Sequence, residues 1–219
     1  MRRIVLGLAG ATAAALGIAT AALADKEKIH YTAAGQAAAR AAVISRADIG
    51  TSTGWTGGAR KPEVNTGTGC PNFEPKQSDL VLIGAARTDW KHAGIEFDSE
   101  AQVLETPAMV KLDWQRTVLA PEVVPCFKDT LTKSLAANEK LISFKQIPFP
   151  KVGDYTRLYR ALVDVKTTAG TTRVLVDELL MGRGTTEISV TTTSVAAPAA
   201  AVKGAEARLA RLLTSRVVI

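Results

Sequence analysis

The chain has 219 residues, of which 47% are hydrophobic, 22% charged and 5% aromatic, with a formal net charge of +6 at pH 7. Those fractions describe a globular protein of one domain or two small ones; they exclude a disordered chain and a large multidomain enzyme. Two cysteines and two histidines exclude a thiolate zinc site and a disulfide-dense miniprotein, and leave little for a histidine-based metal or catalytic centre.

In chain order, Met1-Arg2-Arg3 is a short positive region. Ile4 to Ala21 is apolar apart from Thr12 and Thr20, and Ala22-Leu23-Ala24 is a small-x-small box before Asp25. This is the layout of a secretory signal peptide, residues 1–24, cleaved after Ala24. No cysteine follows the apolar run, which argues against a lipid-modified terminus. Arg2 and Arg3 would leave with the signal, lowering the net charge from +6 to +4. A mildly basic mature chain does not point to nucleic acid. After Ala24 no stretch is apolar enough to span a bilayer. The expected product is secreted or extracytoplasmic. In such an oxidising compartment Cys70 and Cys126 are expected to form a disulfide, worth on the order of 4 kcal/mol by loop entropy.

Residues 25–31 read as a linker to a single domain over 32–219. Residues 33–46 are alanine-rich and predict a helix. Gly50 to Gly69 reads as a loop rich in Gly, Thr and Pro that carries Trp55. Leu80–Thr88 and Ile95–Glu105 predict two strands around a turn at Lys91–Gly94. Thr106-Pro107 is a helix start, threonine as cap and proline in the first turn. Val110, Trp114 and Val118 share its apolar face. After Pro121 a second helix, carrying Cys126, aligns Phe127, Leu131 and Leu135; a disulfide would pin it to the loop before the first strand. Lys140–Ile147, Tyr155–Lys166, Thr171–Met181 and Thr185–Ser194 read as strands, the last three a meander. Pro198 opens a final helix with Val202, Ala205, Leu209 and Leu212 as its buried stripe. The order α-β-β-α-α-β-β-β-β-α lacks β-α-β alternation. The expected fold is therefore α+β: a single antiparallel sheet of about six strands, covered by helices on one face.

The meander permits a register prediction. A turn at 167–170 sets Lys166 opposite Thr171, and hence Asp164 opposite Arg173, Arg160 opposite Asp177, Leu162 opposite Leu175 and Leu158 opposite Leu179. Two opposite-charge pairs appear together, and a one-residue slip destroys both. A turn at 182–184 sets Met181 opposite Thr185, bringing Glu187, Ser189 and Thr191 to the same face, which is polar with a leucine stripe and expected to be solvent-accessible or partly covered. The other face, with Val163, Val174, Val176, Leu180, Ile188, Val190, Tyr159 and Glu178, is expected to form the core.

Gly50-Thr51-Ser52-Thr53-Gly54 matches the G-x-S-x-G pattern. A nucleophile elbow, however, needs a strand-to-helix turn, and the predicted setting is a loop after a helix. His30 and His92 have no partners at ligand spacing. Glu96, Asp98 and Glu100 alternate along a strand taken as an outer one, and read as a wet face. Trp90 is expected to staple the Lys91–Gly94 turn and Trp114 to lie in the core. No catalytic residue, metal site or cofactor is expected. Trp55 and the polar face around Arg160, Asp177 and Glu187 are the candidate ligand-binding residues.

The mature chain also carries a diffuse pattern. An Ala-rich helix leads into Asp48-Ile49-Gly50…Gly54-Trp55; Ser78-Asp79-Leu80-Val81-Leu82, a helical Cys126 and Phe149-Pro150-Lys151-Val152-Gly153-Asp154 follow, then a strand meander and a closing helix. This resembles the exported sensor-like domains of actinobacteria, such as the extracellular domain of PknH-type receptor kinases and its secreted relatives, and the Mog1/PsbP-like α/β sandwiches. The resemblance implies an antiparallel sheet flanked by helices, a ligand cleft and no catalytic residues. The functional expectation is a secreted, monomeric, non-enzymatic domain that binds an envelope or extracellular ligand. Its alternatives are a secreted hydrolase with an unrecognised site and a structural or protein-partner module.

Overall fold

The computed structural model describes residues 25–50, 52–64, 70, 73–195 and 199–217. The expected signal segment, 1–24, lies outside the described residues, as does Thr51 of the G-x-S-x-G run.

One open sheet of eight strands organises the chain. Residues 25–31, read as a linker, include β1 (Lys28–Ile29), which pairs in parallel with the start of β3 (Val81–His92). The Gly-rich segment read as a loop contains β2 (Thr56–Arg60), antiparallel to the far end of the same strand. Glycine and threonine masked β2, because it has no apolar alternation to reveal it. β4 (Ile95–Leu104) follows β3 across the two-residue turn Ala93-Gly94. The remaining strands are β5 (Glu139–Gln146), β6 (Tyr155–Thr167), β7 (Gly170–Arg183) and β8 (Thr186–Val195). The order across the sheet is β1-β3-β4-β8-β7-β6-β5, with β2 beside β3. The expected six strands become eight, and β4, taken as an outer strand, lies inside the sheet between β3 and β8.

The helices are α1 (Ala33–Ala41), α2 (Pro107–Asp113), α3 (Val123–Ser134) and α4 (Ala199–Ser215). Thr32 caps α1, its hydroxyl accepting from Gly35 N at 2.9 Å. A 3-10 turn (Arg46–Ile49) follows, shortening the helix predicted to run to residue 46. Thr106 caps α2 as expected, accepting from Met109 N. That helix widens into a π turn (Trp114–Val118), in which Leu119 N donates to the Trp114 carbonyl at 2.8 Å. Cys126 of α3 is disulfide-bonded to Cys70, with Cα atoms 5.7 Å apart, and this anchors α3 to the segment before β3.

The helices cover both faces of the sheet, not one. Consecutive strand residues point to opposite sides, and the core divides accordingly. Ala86, Val103 and Leu179 pack with Ala39 and Ala42 near α1 and with Leu209, Ala210 and Leu213 of α4. Their neighbours Ala85, Leu104 and Leu180 pack with Val110 and Trp114 on the other side. The face expected to be solvent-accessible or partly covered is fully covered along its leucine row, Leu158 and Leu179 both being 0% exposed. Burying that row is what α4 does.

Register explains a second difference. The β6–β7 pairing is the one the charges predicted: Arg160 faces Asp177, Asp164 faces Arg173 and Leu162 faces Leu175. β7 runs on through Gly182 and Arg183, and the turn is Gly184-Thr185, with Gly184 at φ 54° as such a tight turn requires. Met181 therefore pairs with Ile188 rather than Thr185. An offset of three is odd, and an odd offset turns every β8 side chain over. Ile188 and Val190 join Asp177 in the core beneath α4, whereas Glu187, Ser189 and Thr191 face α2.

α1 lies unusually close to β3. A Cβ on Gly84 would stand 2.1 Å from the Gly35 carbonyl oxygen, and one on Gly35 would stand 2.2 Å from that of Ile83. Both obstructions are backbone, so neither can yield by rotating a side chain. Gly84→Ala is expected to lower unfolding stability by about 1–3 kcal/mol, as overpacking does, in urea denaturation. An unchanged midpoint would show that α1 can stand further off.

Candidate functional site

The expected ligand residues fall in three places. Arg160 and Asp177 form a two-pronged ion pair, Nε to Oδ1 at 2.7 Å and Nη2 to Oδ2 at 2.5 Å. The strand register aligns them and α4 covers them: Arg160 is 9% exposed and Asp177 0%. Trp55 lies half-buried on the same face, its ring stacked on Phe97 at 5.7 Å and tilted against His92 at 5.2 Å. Phe97, Thr192, Asp177 and Arg160 form one row across four neighbouring strands. Phe97 and Arg160 thus stand about 14 Å apart, three strand spacings, with buried core between them, and Trp55 lies at the Phe97 end. Glu187 faces the opposite side.

Above the Asp177 row sits Glu206 of α4, fully buried, its carboxyl against the Asp177 carboxylate. The Thr192 hydroxyl lies beside it, within reach of the same carboxyl. Sequence reading placed Glu206 nowhere. Its signal was an acidic residue inside the spacing Val202, Leu209, Leu213, where a wet position was not available.

The α2 face holds a second concentration of carboxyls. Asp113, at the end of α2, shares a side-chain hydrogen bond with Glu187, and Gln77 Nε2 donates to Asp113 at 2.9 Å. Burial, then the charge of Asp113, raises Glu187 well above the ordinary carboxylate range. Burial also raises Asp113 and Glu100, and takes Glu178 to about 7 with Thr191 donating to it at 2.5 Å. Glu27, before β1, reaches about 7 through burial and then the charges of Asp113 and Glu100. Among the described residues no group of three or more His, Cys, Asp or Glu side chains is arranged to hold a metal ion. The row Glu96, Asp98, Glu100 is not a free wet face: Lys91 pairs with Glu96, Arg87 with Asp98, and Gln102 donates to Glu100.

A cleft of about 240 Å³ opens where the π turn meets residues 149–157. Trp114 and Tyr155 stack at 5.2 Å and 22° on one wall. The stack depends on Gly182 beneath it, where a Cβ would come 2.9 Å from Trp114 Nε1 and 3.0 Å from Tyr155 Cδ2. Phe149 and Leu119 add apolar surface, and Lys151, Arg157 and Asp154 bring charge. Asp154 is engaged in accepting from Gly184 N at 2.9 Å. The cleft can hold a fragment-sized molecule with an apolar or aromatic body and an acidic group. Trp114 lies in the core, as its helical spacing predicts, but spacing alone could not bring it beside residues 149–154.

The other expectations resolve individually. Ser52 lies exposed between the 3-10 turn and β2, its carbonyl held by Arg46 Nη2 at 2.8 Å. No strand-to-helix elbow is built there. Trp90 donates Nε1–H to the Ile44 carbonyl at 2.9 Å, tying down the segment after α1 rather than its own turn.

No protein-family model matches the chain, and no curated protein matches it. Among solved structures it is similar to an uncharacterised protein from Mycobacterium smegmatis, the Rv0999 ortholog, with a TM-score of 0.44 and 13% identity. That likeness covers 90% of this chain and 99% of the other. It assigns neither a family nor a function. Among the described residues no helix is long and apolar enough to cross a membrane.

Removing the Arg160 guanidinium would strand Asp177 beneath α4 beside Glu206. Arg160→Ala is therefore expected to cost about 3–5 kcal/mol in chemical denaturation, as breaking a buried pair does. A loss under about 1 kcal/mol would mean that water reaches the row.

Proposed function

We propose that this chain is a secreted, non-enzymatic domain that binds a small acidic, aromatic or apolar molecule of the envelope or extracellular medium. The observation that carries this reading is the cleft, where the Trp114–Tyr155 stack and Phe149 stand beside Lys151 and Arg157. Tyr155, backed by the buried Trp114, and Phe149 take a flat or apolar body, and the two cations take a carboxylate or phosphate. Binding at Arg160 and Asp177, the choice made from the sequence, is set aside because α4 covers both. The kinship with exported actinobacterial sensor-like domains belongs to this proposal and agrees with a helix-flanked sheet.

The export half is supported by the cysteine pair, bonded in the structure, and by the signal-like first 24 residues. The intact mass of the protein recovered from a secreting host is expected to begin at Asp25 and to lack two hydrogens. A full-length mass with free thiols would end this half of the proposal.

For the cleft, phenyl phosphate and benzyl alcohol serve as probes in ligand-observed NMR. Phenyl phosphate is expected to bind saturably and benzyl alcohol more weakly. The double variant Lys151→Gln/Arg157→Gln should weaken phenyl phosphate by about tenfold or more while leaving benzyl alcohol unchanged. Equal binding of phenyl phosphate by parent and variant would remove the cleft as the site.

A further inference from the structure

Glu206 lies mid-way along α4 on the side turned to the sheet, 0% exposed, and its carboxyl meets the Asp177 carboxylate and the Thr192 hydroxyl rather than a cation of its own. From β7 it faces Asp177, from β6 Arg160 and from β8 Thr192. On α4 itself Lys203 stands one turn earlier, half-buried. Both carboxylate oxygens of Asp177 are already taken by the Arg160 guanidinium. One cation thus meets two carboxyl groups in a space closed to water. An ionised Glu206 would add a negative charge that nothing there matches, and a dry interface strongly disfavours this. A neutral carboxylic acid carries no such penalty.

The rest of α4 is held conventionally. Val202, Leu209, Ala210 and Leu213 are buried. At the C-terminal end Arg183 Nη1 donates to the Thr214 carbonyl at 2.9 Å, and Arg216 pairs with Asp48. The helix is fastened at its C-terminal end by one hydrogen bond from an arginine and, just beyond it, one ion pair, both of which survive neutral and alkaline pH. Its middle rests on a group whose docking requires a proton.

We propose that α4 is a proton-dependent latch, docked on the sheet while Glu206 is a neutral acid and released from it, from the middle toward its N-terminal end, as Glu206 ionises. Release would uncover the apolar stripe of the helix and the Arg160–Asp177 pair beneath it. Burial, then the charge of Asp177, pushes Glu206 up to about 8 from an ordinary value of 4.5. The docked value lies above the undocked one. Docking is therefore strongest below about pH 4.5 and is lost as pH rises through about 8. Between those limits each pH unit weakens it by up to about tenfold.

The test is hydrogen exchange on the full chain, corrected for intrinsic rates, comparing the amides of α4 at about pH 5 and about pH 8. Protection in the first half of α4 is expected to fall by a factor of ten or more over that range, while the C-terminal turn falls less. Glu206→Gln keeps the shape of the neutral acid and cannot ionise, so its α4 protection should stay level. Equal pH dependence in the two proteins would overturn the proposal. A carboxyl carbon-13 titration of Glu206 in the unmodified protein decides the matter even if the variant fails to fold. A midpoint near 8 supports the latch, and one in the ordinary carboxylate range overturns it.

Discussion

Drying both faces of one sheet is the constraint on which this structure depends. A sheet with helices on one side can leave its charges in water. Here α1 and α4 close one face and α2 and the π turn close the other, so every charged side chain between them needs a partner or a proton. Arg160 and Asp177 satisfy each other through two hydrogen bonds. Arg87 does the same for Asp98. Carboxyls left without a cation, such as Glu178, Glu187 and Glu206, are raised toward their neutral forms by burial. The protein thus carries protons as structural components at pH values where exposed carboxylates would be bare.

Small residues set how closely the layers approach. Gly35 against Gly84 lets α1 lie almost on the backbone of β3. Gly182 does the equivalent on the other face, where the Trp114–Tyr155 stack occupies the space its side chain would have filled. The π turn follows from the same placement: it carries Trp114 on the buried side and brings Leu119 to the rim of the cleft. Packing and the proposed binding surface are therefore two sides of one aromatic contact.

Much of the secondary structure was legible in the sequence because its signals are local. Thr106-Pro107 marks the start of α2 through a cap and a proline whose missing N–H costs nothing there. The β6–β7 register was legible because Asp164–Arg173 and Arg160–Asp177 agree on one alignment and any slip breaks both. β1 and β2 were not legible: a two-residue strand and a Thr-Gly-Gly strand show no alternation. Nor was the β7–β8 register, which turns on where the chain reverses around Gly184. No charge pair spans that hairpin to report a slip.

Of the candidate site, the residue types could be read from the sequence but not their company. By itself the sequence determined an α+β chain, the expectation of a Cys70–Cys126 pair and the β6–β7 pairing, because the first and last rest on local patterns and on a hairpin of consecutive strands. Only the tertiary structure decided that Arg160 and Asp177 are covered rather than open, that Glu187 faces away from them, and that Glu206 meets them from 29 or more positions along the chain. The physical reason is that burial belongs to a surface shared by distant segments. A side chain in a strand reads as polar or apolar, but whether water reaches it depends on which helix is laid over it.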